Sequence, residues 1–113
     1  MKFDVVAINE QANKIVLAGR LASGTVGAVE TPFTATLAAS GRSAVLDLTA
    51  LEFLSSLGIR LLLSAARVVS RRGGKVVLFG AQPMVAEVLT AMALDQVLPL
   101  VATEEEALAR LAA

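Results

Sequence analysis

Apolar residues in this chain fall into short runs that alternate with segments of helical period. Residues 3–8 carry the β-branched Val5, Val6 and Ile8, and residues 14–19 read Lys-Ile-Val-Leu-Ala-Gly. Both predict strands, and the polar stretch 9–13 between them predicts an antiparallel hairpin. Val26, Val29, Phe33 and Leu37 then recur at helical spacing. Gly24 and Gly27 weaken an early helix start. Thr31 as cap with Pro32 in the first turn predicts a helix over 32–39, stopped by Gly41. The run 43–48, Ser-Ala-Val-Leu-Asp-Leu, predicts a buried central strand, and residues 49–54 a connector.

The next segment has the clearest period. Ser56, Arg60, Ser64, Arg67 and Arg71 draw one polar stripe, and apolar residues fill nearly all the positions between. That predicts a helix over 56–71 packed on a sheet, ended by Gly73-Gly74. Residues 75–79 predict a second buried strand. Pro83 starts a helix running to about residue 92, in which Met84 and Met92 at helical spacing are expected to fill the core. Residues 97–101 predict an edge strand, because Pro99 cannot donate to a ladder. Thr103 with Glu106 three positions on fits a capping box for a closing helix anchored by Leu108 and Leu111. The expected fold is a single α/β domain over 1–113, with a mostly parallel central sheet of about five strands and about four helices packed on it.

Composition narrows what such a domain does. At 113 residues the chain suits one core. Its apolar share of 56% exceeds the usual level of roughly 45–50%, which favours some exposed apolar surface for a partner and is compatible with a homodimer. The richest run, 57–69, is interrupted by Arg60, Ser64 and Arg67, so no membrane insertion is expected. Residues 1–4, Met-Lys-Phe-Asp, do not resemble a secretory leader, and the expected location is the cytoplasm. Ten acidic residues balance ten basic ones, so no strong field draws the molecule to nucleic acid directly. The cluster Arg67, Arg71, Arg72 and Lys75 reads as cations favouring a helix C-terminus. Histidine, cysteine, tryptophan and tyrosine are absent. That excludes Ser-His-Asp and Cys-His nucleophile pairs and zinc sites built on His or Cys. No nucleotide-binding glycine motif occurs. No catalytic residue, cofactor or metal is therefore expected, and the chain is not expected to be an enzyme. Asp47 and Glu52 could in principle hold a magnesium ion, but the expectation is that Asp47 accepts loop N–H bonds and Glu52 is solvated.

In α/β sheets binding surfaces gather where strands end and helices begin. Here that position is the turn Phe53, Leu54, Ser55, Ser56, Leu57, Gly58. A serine there caps the helix. The same place also suits a phosphoryl group, which would sit at the positive helix end with Arg60 one turn on. Both readings fit the residues.

The stretch from Val45 to Leu63, Val-Leu-Asp-Leu-Thr-Ala-Leu-Glu-Phe-Leu-Ser-Ser-Leu-Gly-Ile-Arg-Leu-Leu-Leu, resembles the signature of STAS domains, the family of anti-sigma-factor antagonists. Gly19-Arg20-Leu21-Ala22 resembles the family's Gly-Glu-Leu-Asp. Residues 75–83 resemble its strand and proline loop, and residues 102–111 its closing helix. The resemblance implies that Ser56 is phosphorylated by a partner serine-protein kinase, which is also the anti-sigma factor. It implies that the unphosphorylated form binds that bacterial partner, and that a PP2C-type phosphatase restores it. Phe53, Leu54, Ser55, Ser56, Leu57, Gly58 and Arg60 are the expected partner-binding residues. Three positions depart from the pattern. Ser55 stands where many members have Asp, Leu57 replaces a small residue, and Ala22 replaces an acid. An alternative role within the family is a scaffold or accessory subunit of a signalling assembly or lipid transporter.

Overall fold

The computed structural model describes residues 2–8, 12–21, 32–33, 35–36, 43–91 and 98–112. Strands β1 (Lys2–Ala7) and β2 (Ala12–Leu21) form the expected antiparallel pair, with Val5 opposite Ile15. Strands β3 (Ser43–Leu54), β4 (Val76–Phe79) and β5 (Leu100–Val101) add in parallel. The five-stranded sheet runs in the order β1-β2-β3-β4-β5, which puts β3 at its centre. Three helices follow the parallel strands: α1 (Ser56–Arg71), α2 (Pro83–Ala91) and α3 (Glu104–Ala112). Pro32, Phe33, Ala35 and Thr36 are also helical, where the fourth helix was expected. Its cap Thr31 and the rest of that segment lie outside the described residues, as does Met92.

Side-chain alternation assigns the helices to the two faces of the sheet. Ala44, Leu46 and Leu48 of β3, with Val76 and Leu78 of β4, point into the core shared with α1 and α2. Val45, Val77 and Phe79 point the other way and pack with Ala107, Leu108 and Leu111 of α3. Both faces of β4 are therefore covered, and all four of its residues are buried.

In α1 the five stripe positions Ser56, Arg60, Ser64, Arg67 and Arg71 are all exposed, while Ile59, Leu61, Leu62, Ala65 and Val69 are buried. The Ile, Leu and Val side chains among these each contribute about 1.5–3 kcal/mol on burial. The helix ends in a Schellman motif. Gly73 takes φ +81° and donates to the Ser70 carbonyl at 3.0 Å, and Gly74 donates to that of Val69 at 3.0 Å. One half of the expected capping box of α3 forms: Thr103 Oγ1 accepts the Glu106 amide at 3.2 Å, while Glu106 Oε1 accepts from the Thr103 hydroxyl at 3.4 Å.

Two expectations about the strands need correction. Residues 49–54 are not a connector but continue β3 to Leu54. Between Asp47, opposite Val16, and Ala50, opposite Ala18, one extra residue is inserted, and Glu52 is a second, between Leu51 (opposite Gly19) and Phe53 (opposite Arg20). Each bulge flips the side-chain alternation once. Leu48, Leu51 and Leu54 thus lie three apart yet all enter the same core. That spacing hides the strand from a search for period two. The second correction is Asn13, read as part of a turn. It is a buried residue of β2.

Candidate protein-interaction site

The last residue of β3 is Leu54, and α1 begins two residues later. Ser55 between them has extended backbone, φ −89° and ψ 173°, and its Oγ accepts the Gly58 amide at 3.2 Å. Its carbonyl accepts the Ile59 amide at 2.9 Å, closing the first helical turn. Ser55 is therefore the N-cap. Ser56, the first helical residue, is exposed beside Leu57, which is 40% accessible, and Arg60 lies one turn further on. Leu54 and Gly58 are buried behind them. Of the residues expected to contact a partner, the structure thus presents Ser56, Leu57 and Arg60 outward. It uses Ser55, Leu54 and Gly58 to build the turn. Phe53 is half-buried and holds the Arg20 guanidinium 4.4 Å from its ring centroid.

The loop after β4 meets β3 at Thr49, upstream of this turn. Gly80 takes φ +70°, and a Cβ on it would stand 2.4 Å from Thr49 Cγ2. Gln82 Nε2 donates to the Thr49 carbonyl at 2.9 Å. Asp47 Oδ1 accepts from both the amide and the hydroxyl of Thr49, at 2.9 and 2.7 Å, which is the hydrogen-bonding role expected of it. Glu52 is exposed.

Met84 is 66% accessible in the first turn of α2, so it is not core filler. Val85 and Leu89 form the buried stripe of that helix, and Met84 falls one residue short of it. The spacing of four between Val85 and Leu89 carries this phase in the sequence itself. Since α1 and α2 both follow parallel strands, their first turns share one end of the sheet. Leu57 and Met84 are therefore exposed apolar groups on the same end as Ser56. Neither first turn carries an acid. An open depression of about 440 Å³ nearby is lined by Gly80, Ala81, Ala86, Leu100, Val101 and Ala102. Among the described residues its lining offers no titratable side chain, unlike the usual small-molecule site.

Comparison with known proteins places this arrangement. The family model of the STAS domain matches residues 5–107. The chain belongs to the STAS domain family. Among solved structures, an anti-sigma-factor antagonist (STAS) domain protein from Planctomyces limnophilus is 28% identical with a TM-score of 0.86, covering 98% of each chain. The unphosphorylated form of the anti-sigma factor antagonist SpoIIAA is 24% identical with a TM-score of 0.81, covering 96% of this chain and 95% of its own. The phosphorylated form of SpoIIAA, a Bacillus cell fate determinant, is 24% identical with a TM-score of 0.72, covering 96% and 98%. No curated protein matches at the sequence level. In this STAS domain no helix among the described residues is long and apolar enough to cross a membrane.

Proposed function

We propose that this STAS domain is an anti-sigma-factor antagonist controlled by phosphorylation of Ser56. In its unphosphorylated form it binds an anti-sigma serine kinase through Ser56, Leu57 and Arg60, on the turn shaped by Phe53, Leu54, Ser55 and Gly58. The observation that carries this reading is the division of labour between the two serines: Ser55 caps α1, leaving Ser56 exposed in its first turn.

A phosphoryl group on Ser56 would sit over the unpaired N–H groups of α1, where the helix end favours an anion. It would add up to two negative charges beside the exposed apolar Leu57 and so oppose a dry interface there. Family membership supports the reading. So does the occurrence of SpoIIAA in both unphosphorylated and phosphorylated forms. A PP2C-type phosphatase would reverse the switch. The chain is then a substrate and a ligand rather than a catalyst. Lys75 follows the far end of α1, on the order of 24 Å from Ser56 along a 16-residue helix, too far to act on it as a base.

Phosphosite mapping on protein purified from its own host, with and without phosphatase treatment, tests the switch. Partial phosphate on Ser56 is expected. Equal binding of the host's kinase by Ser56→Ala and Ser56→Asp would overturn the reading. A salt-resistant complex of constant size whatever the state of Ser56 would point instead to a scaffold role.

A further inference from the structure

Charge in this chain balances overall but not locally. From residue 53 to residue 86 there are five cations, Arg60, Arg67, Arg71, Arg72 and Lys75, and no acid. The remainder holds the other five cations and all ten acids. Arg60, Arg67 and Arg71 lie on the exposed stripe of α1, with Arg72 exposed at its C-cap. Among the described residues the ion pair within 4 Å is Lys14–Glu104, on another part of the fold. The helix dipole accounts for cations in the last turn only. Arg71 and Arg72 fit that account. Arg67 lies a turn further in, and Arg60 stands near the opposite, positive end.

We propose that the outer face of α1, from Arg60 through Arg67 to Arg71 and Arg72, is a docking ridge for an acidic protein surface. It rests on the reading above only in taking the partner of the adjacent turn to be a protein. Four of the five cations are arginines, whose planar forks pair bidentately with carboxylates. Arg60 to Arg67 is seven residues and Arg67 to Arg71 four, roughly 10 and 6 Å along the helix axis. That sparse spacing suits carboxylates on a protein surface. Duplex DNA presents a charge about every 1.7 Å and calls for a denser basic surface. The acid excess on the rest of this molecule also opposes a long polyanion that would extend beyond the ridge. The ridge runs directly into Ser56 and Leu57, so one partner can cover both. A phosphate of nearly two negative charges on Ser56 would offset most of the three positive charges carried by α1 itself.

The test is fluorescence anisotropy with a labelled glutamate-rich peptide against the full chain, at low and at 0.15 M salt. It needs no kinase and no modification of Ser56, so the ridge and the switch stand or fall separately. The wild type is expected to bind, more weakly as salt rises. Arg67→Gln/Arg71→Gln is expected to lower affinity about five-fold, from the modest contribution of each exposed pair. The charge-matched variant Lys2→Gln/Arg110→Gln is expected to bind as the wild type does. Amide shifts on adding peptide are expected along α1. Absence of binding, equal loss in both double variants, or tighter binding of a DNA oligonucleotide of the same charge at 0.15 M salt would each overturn the proposal.

Discussion

Ser55 Oγ accepts the Gly58 amide at 3.2 Å, which makes Ser55 the cap of α1 and relieves Ser56 of that role. Adjacent serines therefore respond differently to the same substitution. Ser55→Ala should cost about 1 kcal/mol of folding stability by urea denaturation. Ser56→Ala should stay within about 0.5 kcal/mol of the wild type, as surface changes usually do. Equal losses in the two variants would mean that the capping role is shared.

Gly80 and Thr49 meet where the loop after β4 crosses the upper part of β3. Gly80→Ala introduces a left-handed residue with a Cβ 2.4 Å from Thr49 Cγ2, and should cost roughly 1–3 kcal/mol. Thr49→Ser removes that methyl but keeps the hydroxyl bonded to Asp47. In a double-mutant cycle the serine should recover part of the loss, leaving the backbone cost.

Lys14 of β2 and Glu104 of α3 are 3.0 Å apart, with side chains 23% and 41% accessible. At that exposure the pair contributes no more than about 1 kcal/mol. Glu104→Gln should therefore shift the urea midpoint slightly. Its clearer effect should be faster hydrogen exchange in the first turn of α3, since the pair tethers that turn to the sheet.

Leu57 and Met84 offer a test that separates binding from folding. Met84 is 66% and Leu57 40% accessible, so Met84→Ser should change stability by less than about 0.5 kcal/mol and Leu57→Ser by about 1 kcal/mol. If this end of the sheet meets a partner, capture of the host's kinase should fall with Leu57→Ser by at least ten-fold, as expected of a truncated apolar anchor. Unaltered capture by both variants would place the contact elsewhere.

The period of α1 was legible in full, because polar residues spaced by four, four, three and four match a helical turn and no strand alternation, and all five are exposed. The alternating faces of β3 were legible only up to Leu48. Beyond it two bulges place the core leucines three apart, so periodicity argued against the strand that is there. The sequence also pointed to the junction of β3 and α1 as the candidate site. It left open which serine caps the helix, because either could supply the oxygen and only the turn geometry decides. The brace of Thr49 by Gly80 and Gln82 joins residues more than thirty positions apart and has no local signal.

The two bulges of β3 also separate what the core requires from what the site requires. Without Thr49 and Glu52 the strand would alternate simply, and Leu48, Leu51 and Leu54 would still enter one core. For burial alone these are spare residues. What they add is bend and twist in the last half of the strand, and Thr49 is the residue gripped by Asp47, Gln82 and Gly80. A shortened β3 could keep its hydrophobic interior and yet deliver Ser56 in the wrong direction. If Ser56 is the contact proposed above, the length of this strand answers to aim rather than to packing.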